Sequence, residues 1–166
     1  MKAGNLFVIG FVALAAGPLA YGRSSDASNN TFITSGGMTI QEVAVLMQKK
    51  SMPATVSDDG MLTGKGWGYE FDVVGYNCND ASRCTEFLFS AGFDLPNGFP
   101  LDKINQWNAT EPAGRAFLDG DGDPFLDHTI SVSGPADEGA FYEGLLLWVN
   151  ALSDYDEFLD QNLLRG

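Results

Sequence analysis

Two ten-residue segments constrain this chain more than any other feature: "WGYEFDVVGY" at 67–76 and "CTEFLFSAGF" at 84–93. In the first, Trp67, Tyr69, Phe71 and Val73 alternate with Glu70 and Asp72. In the second, Phe87, Phe89, Ala91 and Phe93 fall on every other position. A period of two with aromatic and β-branched content is the mark of half-buried strands, because successive side chains point to opposite faces. Cys78 and Cys84 stand at the end of the first run and the start of the second. In an oxidising compartment such an isolated pair reads as a disulfide. Its bridge would staple the loop between the strands and stabilise by roughly 2 kcal/mol on the chain-entropy model. The spacing does not suit a redox C-x-x-C pair. Two cysteines and one histidine cannot complete a four-ligand zinc site without several carboxylates.

The flanking segments complete the fold class. "TIQEVAVLMQKK" opens with Thr39 and Glu42 at capping-box spacing. Ile40, Val43, Leu46 and Met47 form an apolar stripe, so a helix is predicted over about 40–50, ended by Pro53. Asp59-Gly60 between two short runs predicts a hairpin turn. Leu101, Ile104 and Trp107 recur at helical intervals in "PLDKINQWNA", with Asp102 near the start. "RAFLD" and "PFLDHTISV" alternate as strands. Gly134-Pro135 then introduces a last helix, with Asp137 and Glu138 near its positive end. Phe141, Leu145, Trp148, Leu152, Tyr155 and Leu159 form its stripe, core or partner surface. The order α-β-β-β-β-α-β-β-α, with strands in consecutive pairs, predicts an α+β fold: an antiparallel sheet flanked by helices.

The start of the chain reads as a secretory leader. Met1-Lys2 precedes an apolar run from Leu6 to Ala16 and a small-residue exit, "GPLAYG". The run is shorter than the about 20 residues of a membrane-spanning helix and is broken by Gly17-Pro18. Cleavage after Gly22 satisfies the small-x-small rule through Ala20. Cleavage after Ala20 would place Pro18 at the third position back, and both remain open. No cysteine near the exit offers a lipid anchor. The expected organisation is a signal peptide at 1–22, a flexible polar lead-in at 23–37 and a single domain at 38–166. The 144 residues after Gly22 carry 8 basic and 22 acidic side chains, a net charge of −14. That charge repels nucleic acid and anionic membranes and names no partner. A periplasmic or secreted protein, with no stable membrane insertion after cleavage, is the expectation.

One ordered set of residues resembles a known family. Asn105, Trp107 and Asn108, then Arg115-Ala116, an acidic-glycine turn, a strand and a closing helix with Trp148 are similar to the YbjN family of bacterial sensory transduction regulators. The helix at 40–50, the hairpin at Asp59-Gly60 and the cysteine-flanked strands fit the same pattern, so the resemblance spans about 38–160. It implies a helix-flanked antiparallel sheet like that of type III secretion chaperones. It carries no established catalytic residues and no cofactor. It points to a non-enzymatic domain binding a protein or peptide partner, regulatory or chaperone-like; assembly as a homodimer is left open. The segment "ATEPAG" between Asn108 and Arg115 is less basic than the family pattern leads one to expect.

Candidate sites follow from the polar clusters. Asp119, Asp121 and Asp123 in "FLDGDGDPFLDH" have the first spacings of a calcium loop. Position 6 of that loop would be Pro124 and position 12 Ile130, where glycine and an acid are required. The flanks alternate with period two, so a hairpin tip is predicted, with Phe117 opposite Phe125 and Ala116 opposite Leu126. Gly120 and Gly122 would supply its positive φ values. The alternative is calcium binding or a carboxylate-dependent hydrolase built on the Asp119–Asp127 cluster. His128, the single histidine, shares a strand face with Leu126 and Ile130 and reads as structural. Asn105, Trp107, Asn108 and Arg115 are the binding candidates. Trp107 between two asparagines is either an exposed binding edge or an aromatic anchor with asparagines capping the helix end.

Overall fold

The computed structural model describes residues 36–133 and 138–163. The leader expected at 1–22, most of the lead-in, and the helix start expected at Gly134-Pro135 with Asp137 lie outside these residues. Helix α1 spans Ile40–Lys49 and begins with the expected capping box. The Glu42 N–H donates to Thr39 Oγ1 at 3.2 Å, and the Thr39 N–H donates back to Glu42 Oε2 at 2.9 Å. Two orphan amide groups of the first turn are thereby satisfied. Val43, Ala44 and Met47 are buried, with Ile40 and Leu46 packed beside them.

Strands β1 (Ala54–Val56) and β2 (Leu62–Gly66) flank the turn containing Asp59-Gly60. Strand β3 runs Tyr69–Cys78 and β4 runs Cys84–Gly92. Helix α2 (Leu101–Thr110) leads to β5 (Arg115–Leu118), β6 (Pro124–Ser131) and α3 (Glu138–Leu163). The element order is the one the sequence predicts. All strands join one antiparallel sheet in the order β1-β2-β3-β4-β6-β5. Helix α2 carries the chain past one strand position, so β5 becomes the sheet edge and β6 returns to pair with β4.

One face of the sheet builds the core. Leu62, Phe71, Val73, Phe87, Phe89, Leu126 and Ile130 are buried there. The stripe predicted on α3, from Phe141 through Leu159, is buried throughout. Trp148 meets Phe71 edge-on at 5.8 Å and Phe89 at 6.1 Å, geometries that ring quadrupoles favour. A Cβ at Gly64 would lie 2.5 Å from Met47 Cε and 2.8 Å from the Phe71 ring, so glycine is what lets α1 settle on β2. Alternate positions, among them Glu70, Val74, Tyr76 and Thr129, are exposed on the other face. That is the ordinary division of an antiparallel sheet covered on one side.

The cysteines are bonded as expected. Cys78 and Cys84 are direct cross-strand partners with Cα atoms 3.8 Å apart. The Asn79 carboxamide orders the loop by accepting the N–H groups of Ala81 and Arg83.

Three details depart from the sequence reading. Trp67 is not on the core face of a strand; it sits in the β2–β3 turn, 62% exposed. Leu101, expected on the apolar face of α2, is 60% exposed, because Ile104 and Trp107 alone face inward from the first turns. At the 119–123 turn only Gly122 has positive φ, 88°; Gly120 does not.

Candidate functional site

The polar residues singled out by the sequence are placed as follows. Residues 119–123 form a hairpin turn, with Phe117 opposite Phe125 and Ala116 opposite Leu126 as predicted. The Asp119 carboxylate accepts the N–H groups of Asp121 and Asp123, each at 2.9 Å. Asp123 accepts the Leu95 N–H at 2.9 Å and ties the tip to the segment before α2. Two of the three aspartates are thus occupied by backbone amides, the usual role of aspartate in turns. Among the described residues no group of three His, Cys, Asp or Glu side chains could hold a metal ion.

Asp127 lies away from that tip. It is buried on the face of the sheet opposite the core, where it accepts from Ser90 Oγ at 2.6 Å and from Arg115 at 2.8 Å. A buried carboxylate needs such partners. Arg115 is largely exposed and also lies over the Phe117 ring at 5.3 Å. His128 follows Asp127 in the strand and therefore points to the core face, stacked on Trp148 at 6.4 Å. Burial holds its imidazole below the usual histidine range. Alternation thus places Ser90–Asp127 and His128 on opposite sides of the sheet, and the three do not converge as a triad requires.

The binding candidates on α2 do not form an exposed edge. Trp107 is 2% exposed, packed against Tyr155 at 4.8 Å and Phe158 at 5.4 Å, and its Nε1 donates to the Gly114 carbonyl. It is the anchor of α2 on α3. Asn108 does not cap the helix end either. Its carboxamide accepts the Ala116 N–H at 2.8 Å and donates to the Ala116 carbonyl at 2.9 Å. One side chain thereby stands in for a neighbouring strand along the outer edge of β5. Asn105 is exposed on the helix surface. The four residues are not brought together as one surface.

A different aromatic residue stands at a concave surface. The turn between β2 and β3 is Trp67-Gly68, with φ values of 46° and 96°. Two successive positive φ angles are the pattern of the two-residue hairpin turn that Asn-Gly and Asp-Gly favour. Tryptophan in that first position carries a Cβ penalty and is exposed. Next to it lies a depression lined by Lys50, Ser51, Met52, Pro53, Lys65 and Tyr142, among others. Ser51, which also lines it, is likewise at positive φ, 60°. Lys50 Nζ sits 4.4 Å above the Tyr142 ring. Lys65 pairs with the exposed Glu70, and Lys49, one residue back, pairs with Glu138 at 2.9 Å. The surface therefore combines an exposed indole, the exposed Pro53 and the ammonium groups of Lys50 and Lys65. Period-two reading concealed it, because Trp67 has the parity of Tyr69 and Phe71; the available signal was Trp-Gly standing between two strand-like runs.

The family model YbjN, described as "Putative bacterial sensory transduction regulator", matches residues 39–161. Among solved structures, the chain is similar to the Yersinia pestis type III secretion chaperone SycH, crystallised in complex with a stable fragment of YscM2. The identity is 14%, the match covers 73% of this chain and 99% of that chain, and the TM-score is 0.50. At this identity the likeness bears on the fold, which agrees with the helix-flanked sheet described above. No curated protein matches the chain.

Proposed function

The chain belongs to the YbjN family, and from that premise we propose that it is an exported, non-enzymatic domain that binds a protein or peptide partner at the Trp67 depression. The observation that carries the reading is Trp67 itself. A large indole is held in solvent at a backbone conformation that costs a side-chain-bearing residue roughly 1–2 kcal/mol. Asn or Gly would fill the same turn without that penalty. A residue that breaks a local rule while standing largely in solvent is the place to look for a binding role. Tryptophan is also the side chain most enriched among binding hot spots. The sequence of the leader and the Cys78–Cys84 bridge favour a periplasmic or secreted setting. A polypeptide partner accords with the SycH structure, which holds a fragment of YscM2.

The test separates folding from binding. Trp67→Asn should leave the fold intact and raise its stability by about 1 kcal/mol, because Asn is at home at positive φ. A photo-crosslinking residue placed at Lys65 should capture one discrete partner in the native compartment, and Trp67→Asn in the same chain should abolish capture. A crosslinker at Asp121 serves as the control surface. Loss of stability in Trp67→Asn with capture unchanged would show that the indole serves the fold and not a partner.

A further inference from the structure

Resting on the reading of Trp67 as a binding residue, we infer that its occupant is an acidic-apolar peptide segment: an aliphatic or aromatic side chain on the indole and the exposed Pro53, and a neighbouring Asp or Glu carboxylate on Lys50. The charge distribution carries this. The chain has 9 lysines and arginines against 22 acids, so a cluster of cations is unusual on it. Three of the nine, Lys49, Lys50 and Lys65, stand at or beside this depression. Lys49 and Lys65 have carboxylate partners in Glu138 and Glu70. Lys50 has none among the described residues; its ammonium rests on the Tyr142 ring face, which places the charge without neutralising it. The Lys65–Glu70 pair is solvent-exposed on both sides, and such a pair is weak enough to exchange partners. A carboxylate entering the depression therefore meets one ammonium with no carboxylate partner among the described residues and one exchangeable ammonium, and an apolar neighbour meets Trp67. The rest of the surface is net negative and disfavours the same peptide elsewhere, which gives the site its selectivity.

The experiment uses the exported, disulfide-bonded chain and three sets of synthetic octapeptides. Each has Leu or Phe at its centre, flanked by Asp and Glu, by Asn and Gln, or by Lys. Trp107 and Trp148 are buried, so iodide quenching reads Trp67. The acidic set should shift and shield that emission and the lysine set should leave it unchanged. By calorimetry the amide set should bind about ten-fold more weakly than the acidic set. Lys50→Gln should weaken the acidic peptides about five-fold and leave the amide peptides unaffected, with Lys50→Arg restoring the difference. Equal binding of acidic and amide peptides, abolished by Trp67→Asn, would overturn the charge inference and leave the Trp67 site standing. Acidic peptides that bind regardless of Trp67→Asn would overturn both. Absence of binding by all three sets would overturn the inference.

Discussion

The outer edge of β5 is closed by one carboxamide, and Asn108→Ala tests what that closure contributes. The Asn108 side chain makes two hydrogen bonds to the backbone of Ala116, one in each sense, at 2.8 and 2.9 Å. A neutral hydrogen bond is worth about 1 kcal/mol net, and a partly buried group left without its partner costs at least as much. Two bonds would give about 2 kcal/mol, but Asn108 is exposed, so water recovers part of the loss. The expected cost is about 1–2 kcal/mol, seen as a lowered urea midpoint with unchanged slope under non-reducing conditions. On melting it corresponds to roughly 3–5 °C per kcal/mol for a domain of this size. Amide exchange at Ala116 should accelerate while exchange at Leu126, on the paired side, stays slow. Asn108→Asp sharpens the test. It keeps the acceptor for the Ala116 N–H but sets a carboxylate against the Ala116 carbonyl, so near neutral pH it should be no better than alanine. Acidification that protonates the carboxyl should return part of the difference. A midpoint for Asn108→Ala within about 0.3 kcal/mol of wild type, with Ala116 exchange unchanged, would refute the edge-closing role.

Other substitutions probe the core and the turn. The Tyr155 hydroxyl is fully buried without a hydrogen-bond partner among the described residues, and burial pushes its phenol far above the ordinary range; Tyr155→Phe should therefore raise stability by about 1 kcal/mol, and a comparable loss in urea unfolding would disclose a partner for the hydroxyl. His128 is held by burial below the ordinary histidine value of about 6.5, so the unfolded chain binds the proton more readily. Its contribution is complete above the unfolded value, declines as pH falls through about 6.5 and levels off below the folded value; stability measured between pH 7.5 and 5 should show a decline that His128→Gln reduces. Asp119→Ala, which strips two backbone amides of their acceptor, should cost about 1–2 kcal/mol. Asp121→Asn should change stability by less than about 0.5 kcal/mol, and millimolar calcium should leave the melting temperature unmoved; a rise of several degrees abolished by Asp121→Asn would establish a metal site.

Where local pattern and tertiary packing agree, the sequence was sufficient. The Phe87-Phe89-Ala91 alternation is buried residue for residue. The register of the last hairpin follows from the same logic: a slip by one residue at Leu126 would turn the buried set of β6 to the opposite face, and Ala116 does lie opposite Leu126. The α3 stripe was legible because six apolar residues at 4-3 spacing leave a helix one face to bury. Asn108 was not legible in this way. Its partner is eight residues on, across a helix end and a loop, and only the fold shows that β5 is an edge in need of a partner. Asp127 likewise belongs to an acidic cluster by sequence alone, whereas sheet pairing gives it Ser90 from β4 and Arg115 from β5.

Trp67 is the instructive failure, because the rule that misplaced it is the rule that worked elsewhere. Parity assigned it to the core face with Tyr69, Phe71 and Val73. Pairing of Gly66 with Tyr69 leaves only residues 67 and 68 to reverse the chain, and a two-residue reversal between twisted strands demands positive φ at both. Gly68 meets that demand freely and Trp67 against its preference. Three observations then act together: the strain at residue 67, the exposure of the indole, and the concentration of lysines beside it in an acidic chain. If the turn served the hairpin alone, Asn at 67 would be the better residue on every count. The indole is therefore intelligible as a binding group held outward by the tightness of the turn. Relieving the strain with Asn should improve the fold while removing the proposed contact.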